Sequence, residues 1–274
     1  MKNLILLASI LFSTLTLAGH TYYPQSFQDS LDNGNLKDEA LRQAIKKVLK
    51  SSHSKHSNGP DTLGCNRGEG QCYSNINLGY KGARTHLFGN VELGHLEQVD
   101  GKYQLVDVYC QKKFTSGSAG TIGPRSIPNS NMLNCEHTWP QSKFTGSDSR
   151  FQKSDLHHLF PTDSKANSVR GNHDFGIVNS GRAPTSNCSA SQATSRAYQP
   201  PFEHRGNVAR AMFYFAVRYD GKINDKMESA LRKWHEEDPV DQAEIDRNNA
   251  VYKVQNNRNP FIDYPNLIYK LKNL

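Results

Sequence analysis

Residues 134–144 read Asn134-Cys135-Glu136-His137-Thr138-Trp139-Pro140-Gln141-Ser142-Lys143-Phe144. A strand is expected over residues 132–137, stopped at Trp139-Pro140 because proline supplies no N–H to a ladder. Glu136 and His137 are neighbours, so along an ideal strand they face opposite sides of the sheet. At a strand end where the chain turns, the two can converge on one substrate. The polar constellation continues through Ser154-Asp155-Leu156-His157-His158-Leu159-Phe160-Pro161-Thr162 and Asn167-Ser168-Val169-Arg170-Gly171-Asn172. Asp163 is placed to cap a short helix through Val169, with Gly171 closing it. Such a cluster is poor core material. A hard divalent ion needs oxygen donors, which Glu136 offers as a carboxylate and Asn167 as an amide carbonyl. Phosphodiester cleavage also needs a base that works near neutral pH, as imidazole does, and an arginine to hold a phosphate oxygen.

These residues carry a resemblance. The segments NCEHTWPQSKF (134–144), SDLHHLFPTDSKANSVRGN (154–172), RGNVARAMFYFAVRY (205–219) and RNPFIDYP (258–265) resemble the bacterial endonuclease I family, exported nucleases without sequence specificity. Residues 79–84, GYKGAR, fit the family's helix before the first strand. The resemblance implies an α+β fold in which a ββα-metal (His-Me finger) core, about residues 103–172, is embedded in a mostly helical single domain. It implies His137 as general base and Glu136 and Asn167 as Mg²⁺ ligands, with Mn²⁺ or Ca²⁺ able to occupy the same oxygens. Arg170, one helical turn beyond Asn167, is a candidate to face phosphate. Arg150 lies in the stretch where the family offers a phosphate-stabilising arginine. The expected activity is hydrolysis of DNA, with RNA as the nearest rival substrate, leaving 5′-phosphate ends. The partner is then nucleic acid gripped through its phosphates, by a monomer with no membrane attachment after leader removal. A catalytically silent nucleic-acid-binding protein is the alternative from another class. The intact Glu136, His137 and Asn167 argue against it, since a binder has no use for a poised base. An exported zinc hydrolase using His157, His158 and His173 is a third reading.

The composition fits this picture without deciding it. The 274 residues suffice for one large domain or two small ones. With 33 Lys+Arg against 26 Asp+Glu, the net charge of +7 suits a polyanionic partner. Hydrophobic residues at 36% exclude a multi-span membrane protein, and 12 Tyr with 12 Phe argue against disorder. No P-loop, GxSxG or HExxH motif is present; His235-Glu236-Glu237-Asp238-Pro239 lacks the second histidine. Residues 1–18 combine Lys2, the apolar run Leu4 to Leu17 and Ala18, the pattern of a secretory signal peptide. The run is shorter than the roughly 20 residues of a membrane span. Residues 19–274 are then the exported, periplasmic or secreted, nuclease domain.

Export permits disulfides, and five cysteines leave one unpaired. Cys65 and Cys72 close a short loop, and Cys110 with Cys135 is the second candidate because each closes an expected strand. Members of the family carry more disulfides than five cysteines allow, so the resemblance leaves the pairing open. Without a CxxC, a cysteine zinc site is disfavoured.

Helices are expected over residues 36–49, capped by Asn35, and over 80–88. Further helices are expected along the stripe Val208, Ala211, Met212, Phe215, Ala216 and Tyr219, from Asn224 through Trp234, and from Asp238-Pro239 to about Val254. Strands are expected at 103–109 and 175–178, with loops over 51–75 and 179–201. Several polar residues have plainer readings. Asp155, His157 and His158 suit capping or packing as well as orienting His137. Trp139, ahead of a proline, reads as a structural plug more than a base-stacking platform. Arg210 and Arg218, within an apolar stripe, are candidates for buried ion pairs. The lysines of residues 46–55 read as a solvated helix face before a phosphate-tracking one.

Overall fold

The computed structural model describes residues 20–274; the expected signal peptide lies outside them. The fold is α+β, with helices interleaved among four small sheets. Each of these sheets departs in part from the strand expectations. The segment expected as a strand over 103–109 is Lys102–Val106, and it pairs with Leu96–Val99 and Lys113–Thr115 in a separate meander. It stops there because the Asp107 carboxylate accepts the N–H groups of Tyr109 (3.0 Å), Cys110 (2.8 Å) and Lys112 (2.8 Å), which turns the chain away. The strand Leu133–His137 pairs instead with Leu159–Asp163, antiparallel, with Glu136 opposite Phe160 and His137 opposite Leu159. Pro161 hides that second strand from a sequence reading. It is tolerated because a two-stranded sheet leaves each strand with a free edge.

The helix Ser164–Arg170 follows without a connector. Asp163 caps it by accepting from Lys165 N and Ala166 N, and Gly171 closes it at φ +53°, in the left-handed region that favours glycine. The stretch 51–75, expected as loop, holds a three-stranded sheet of His53–Lys55, Thr62–Leu63 and Gln71–Tyr73. Likewise, Gln192–Ala193 and Ala197–Gln199 give 179–201 short strands, and Ala197–Gln199 pairs in parallel with Asp174–Phe175. That pairing replaces the strand expected at 175–178. Strands of two or three residues carry too little alternation to be read locally.

The helices sit close to their expected places, with different caps. The first amphipathic one is Asp38–Lys50, with Lys37 rather than Asn35 at its cap. Lys46 and Lys50 on its surface pair with Asp220 and Asp148, both at 2.6 Å. Helix Gly79–Gly89 agrees with the 80–88 expectation. Asn224 caps Asp225–Glu237 as expected, through Met227 N. The next helix is Gln242–Gln255, started by Asp241 rather than Asp238-Pro239.

The helix Arg205–Tyr219 runs through the centre and is buried nearly all round, so its expected stripe is only one of its packed faces. Phe213, Tyr214 and Val217 pack on its other sides. Its two interior arginines are paired, Arg210 with Glu244 and Arg218 with Asp155, as buried cations require. Trp139 is 5% exposed, and its ring stacks on Phe215 with centroids 4.8 Å apart, the plug expected of it. Gly221 makes room for that ring: a Cβ there would lie 2.5 Å from Trp139 Cη2. Among the described residues, no helix is long and apolar enough to cross a membrane.

The disulfide pairing corrects the expectation in part. Cys65–Cys72 forms, but Cys110 bonds to Cys188, and Cys135 is free and buried. Cys110 sits in the Asp107 turn, outside any strand, beside the 179–201 segment. Cys135 instead lies mid-strand, where burial and the Glu136 charge push its thiol up to about 12. Cys110–Cys188 closes a sequence separation of 78 residues. Replacing both cysteines by alanine is expected to lower the unfolding free energy by roughly 2–4 kcal/mol, read by urea denaturation.

Candidate active site

Strand Leu133–His137 and helix Ser164–Arg170 form one side of a cleft of ≈ 480 Å³, lined by Tyr80, Glu136, His137, Gln141, Asn167 and Arg170 among others. Four of the five residues proposed from sequence, Glu136, His137, Asn167 and Arg170, separated by up to 34 positions, thus meet at one opening. The hairpin brings the strand end beside the helix that starts from the opposite strand. Arg150 is not among the lining residues. It stands exposed on helix Ser149–Ser154.

Glu136 is 2% exposed. Burial raises its pKa above the usual carboxylate value, against the opposing pull of Arg170 and of the Tyr109 hydrogen bond. Its Oε1 accepts the Tyr109 hydroxyl at 2.7 Å and lies 3.0 Å from Arg170 Nη1. Arg170 itself is buried, although the sequence made it a candidate to face phosphate. Its guanidinium donates to the carbonyls of His137 (3.0 Å) and Thr138 (2.5 Å), and it lies over the Phe175 ring. Its donors are thus turned largely onto protein acceptors at the end of the strand.

His137 is held at both ring nitrogens. Nε2 lies 3.1 Å from the Lys153 carbonyl, and Nδ1 lies 3.3 Å from Gln141 Nε2. A carbonyl can only accept, so Nε2 carries the proton and the Nδ1 lone pair accepts from the Gln141 amide N–H. Burial, reinforced by the neighbouring His158, lowers the His137 pKa to about 3. The ring is therefore neutral at pH 7. His158 packs edge-on behind it at 5.5 Å between centroids and donates to the Gln152 carbonyl. His157 donates to Asn257 O, away from the cleft. Asp155 accepts from the hydroxyls of Tyr214 and Tyr219 and from Gln255 Nε2. Burial alone would raise its pKa, but His157 and Arg218 hold it at about 2. This group anchors the connector between the hairpin strands to the central helix.

Asn167 is half-buried and lines the cleft, and among the described residues its amide has no hydrogen-bond partner. The Asn167 amide and the Glu136 carboxylate suit a hard cation that keeps several waters. Among the described residues, no cluster of three or more His, Cys, Asp or Glu forms a metal cage.

The site includes side chains that carried no role in the sequence. Tyr109 and Gln141 hold Glu136 and His137, and Tyr80 faces the His137 ring at 5.6 Å. Tyr80 is flanked by two cations, Arg84 at 5.4 Å and Lys153 at 4.9 Å from its ring centroid. Gln141 was within reach of a sequence argument, four residues past His137. Tyr109 and Tyr80 have no local signal linking them to it.

A strand–strand–helix cleft holding a neutral histidine beside a buried carboxylate defines a candidate hydrolytic site. Residues 69–266 match the family described as Endonuclease I, and the chain belongs to that family. Similar proteins include the extracellular ribonuclease of Bacillus subtilis (strain 168), 38% identical over 152 residues. That alignment covers 48% of this chain and 51% of the relative. The extracellular ribonuclease of Bacillus amyloliquefaciens is 37% identical over 173 residues, 57% of this chain and 56% of that protein. The periplasmic deoxyribonuclease of Aeromonas hydrophila is 30% identical over 125 residues, 44% and 53%. The chain thus spans about half the length of the curated relatives it matches.

Proposed function

We propose that this protein is an exported, metal-dependent endonuclease that hydrolyses phosphodiester bonds of nucleic acid with little sequence preference. The observation that carries the reading is the meeting of Glu136, His137 and Asn167 at one cleft in a family of nucleases. In this reading the unit 133–170 is a ββα-metal core within a single domain over residues 19–274. His137 Nδ1 takes the proton of an attacking water, which takes the place of the Gln141 amide on that nitrogen. Glu136 and Asn167 hold a divalent cation, Mg²⁺ in the first instance. When bound, such a cation offsets charge on the phosphate and on the leaving 3′-oxygen, so products carry 5′-phosphates. Arg170 draws the end of the strand together and holds Glu136, rather than touching phosphate. Arg150, exposed beyond the cleft, is left to contact the more distant backbone of a long substrate.

DNA is the first substrate reading. The names of the two Bacillus relatives favour RNA as the second, and the extracellular and periplasmic relatives support export. Incubating purified residues 19–274 with supercoiled plasmid and with total RNA, in Mg²⁺ and in EDTA, tests the reading. Degradation that stops in EDTA supports it, and the ratio of rates assigns the substrate. Binding without cleavage under every divalent metal would mean a silent scaffold.

Phosphate contact supplies most of such binding and makes it depend on salt. Lys153 and Arg84, on the Tyr80 wall, are the cations best placed to track the backbone. Lys153→Ala and Arg84→Ala are each expected to reduce the log–log salt slope of DNA affinity by about 1, uniformly across sequences. Fluorescence anisotropy at several salt concentrations checks this. An unchanged slope would place the groove elsewhere.

A further inference from the structure

We propose that Tyr109 is a positioning residue that fixes the Glu136 carboxylate in the rotation that binds the cation. The inference rests on the functional reading above. The Tyr109 hydroxyl at 2.7 Å and Arg170 Nη1 at 3.0 Å meet on the same oxygen of the Glu136 carboxylate, Oε1, and the His137 backbone N–H adds a further hydrogen bond to the carboxylate. Glu136 lines the cleft, so the carboxylate held in this way is within reach of a cation bound there. Two donors on one oxygen stop the carboxylate from rotating and hold it ready as a ligand, the way outer partners commonly orient metal-binding groups.

Tyr109 is itself rigidly held. Its N–H donates to Asp107 Oδ1 at 3.0 Å, and its carbonyl accepts from Ser191 Oγ at 2.7 Å. Its ring packs against Tyr198 at 4.8 Å, and the next residue is tied to Cys188 by a disulfide. Asp107 Oδ1 also accepts the N–H of Asp163 at 3.2 Å, and Asp163 caps the helix that carries Asn167. One turn, residues 107–110, therefore reaches Glu136 through the Tyr109 side chain and the Asn167 helix through its cap. A merely space-filling tyrosine would need neither the hydroxyl contact nor this bracing.

The test is Tyr109→Phe, which keeps the ring and removes only the hydroxyl. Mn²⁺ binding is measured by electron paramagnetic resonance without nucleic acid, beside wild type, Glu136→Gln and Tyr23→Phe. Tyr23 is a buried tyrosine whose hydroxyl serves Asp263 instead. Tyr109→Phe is expected to weaken Mn²⁺ binding about 10–100-fold. Plasmid nicking should recover toward wild type as Mn²⁺ is raised, a change in metal requirement rather than in saturated rate. Tyr23→Phe should bind Mn²⁺ as wild type does. Equal Mn²⁺ affinity in wild type and Tyr109→Phe would overturn the inference while leaving the metal site standing. Wild type that binds no Mn²⁺, or binds it as Glu136→Gln does, would instead overturn the functional reading beneath it. Matching losses in Tyr109→Phe and Tyr23→Phe would reduce the role of Tyr109 to general packing.

Discussion

His137→Ala is expected to lower the saturated cleavage rate by on the order of 10²–10⁴-fold, the usual contribution of a positioned general base. The loss should fall on the rate and not on substrate binding, because the imidazole carries no charge at pH 7 to attract phosphate. The geometry makes the ring suited to this one task. The Lys153 carbonyl fixes the tautomer, burial keeps the ring neutral, and the lone pair on Nδ1 is oriented by the Gln141 amide that donates to it. Gln141→Ala should cost less, since it removes an orienting contact and leaves the base in place. Single-turnover cleavage of a labelled duplex, with anisotropy for binding, separates the two effects. A His137→Ala variant that cuts within threefold of wild type would remove His137 from the chemistry.

Acid should destabilise the protein as pH falls below about 6.5, through its buried histidines. His157, His158 and His204 are buried, and burial lowers their pKa values to about 3, 4 and 3. Unfolded histidine titrates near 6.5, so the unfolded chain binds protons that the folded one refuses. Each folded pKa is depressed, so the stability these groups contribute is present above pH 6.5 and is lost as pH falls. Three such groups remove about 4 kcal/mol between pH 7 and pH 5.5, and the loss grows as pH falls further. Urea denaturation across that range measures it. A midpoint independent of pH down to 5.5 would mean that these rings are charged in the folded state. Asp155, whose folded pKa is also depressed, adds its own loss only as pH falls below about 4 toward 2.

Legibility in the sequence followed the range of the interactions. The helix Ser164–Arg170 was readable with its cap, because Asp163 and Gly171 act on atoms within four residues of themselves. Trp139 as a plug, and Arg210 and Arg218 as paired cations, followed from what a proline turn and an apolar stripe permit. The strand Leu159–Asp163 was not readable. Two histidines lie just before it and Pro161 interrupts its alternation, and only pairing with residues 133–137 makes it a strand. The second disulfide failed for a related reason. Cys110 was judged by a strand that ends early, since Asp107 captures the N–H groups that would have extended it.

The sequence by itself determined the family, the α+β class and the donors of the candidate site, because residue type decides whether an atom can ligate, accept a proton or end a helix. The tertiary structure alone decided which way those groups are turned. Burial keeps His137 neutral, Tyr109 and Arg170 meet on one oxygen of Glu136, and Cys188 rather than Cys135 takes Cys110. Burial and orientation depend on partners up to 78 residues away, and nothing in a local pattern encodes the path of the chain between them.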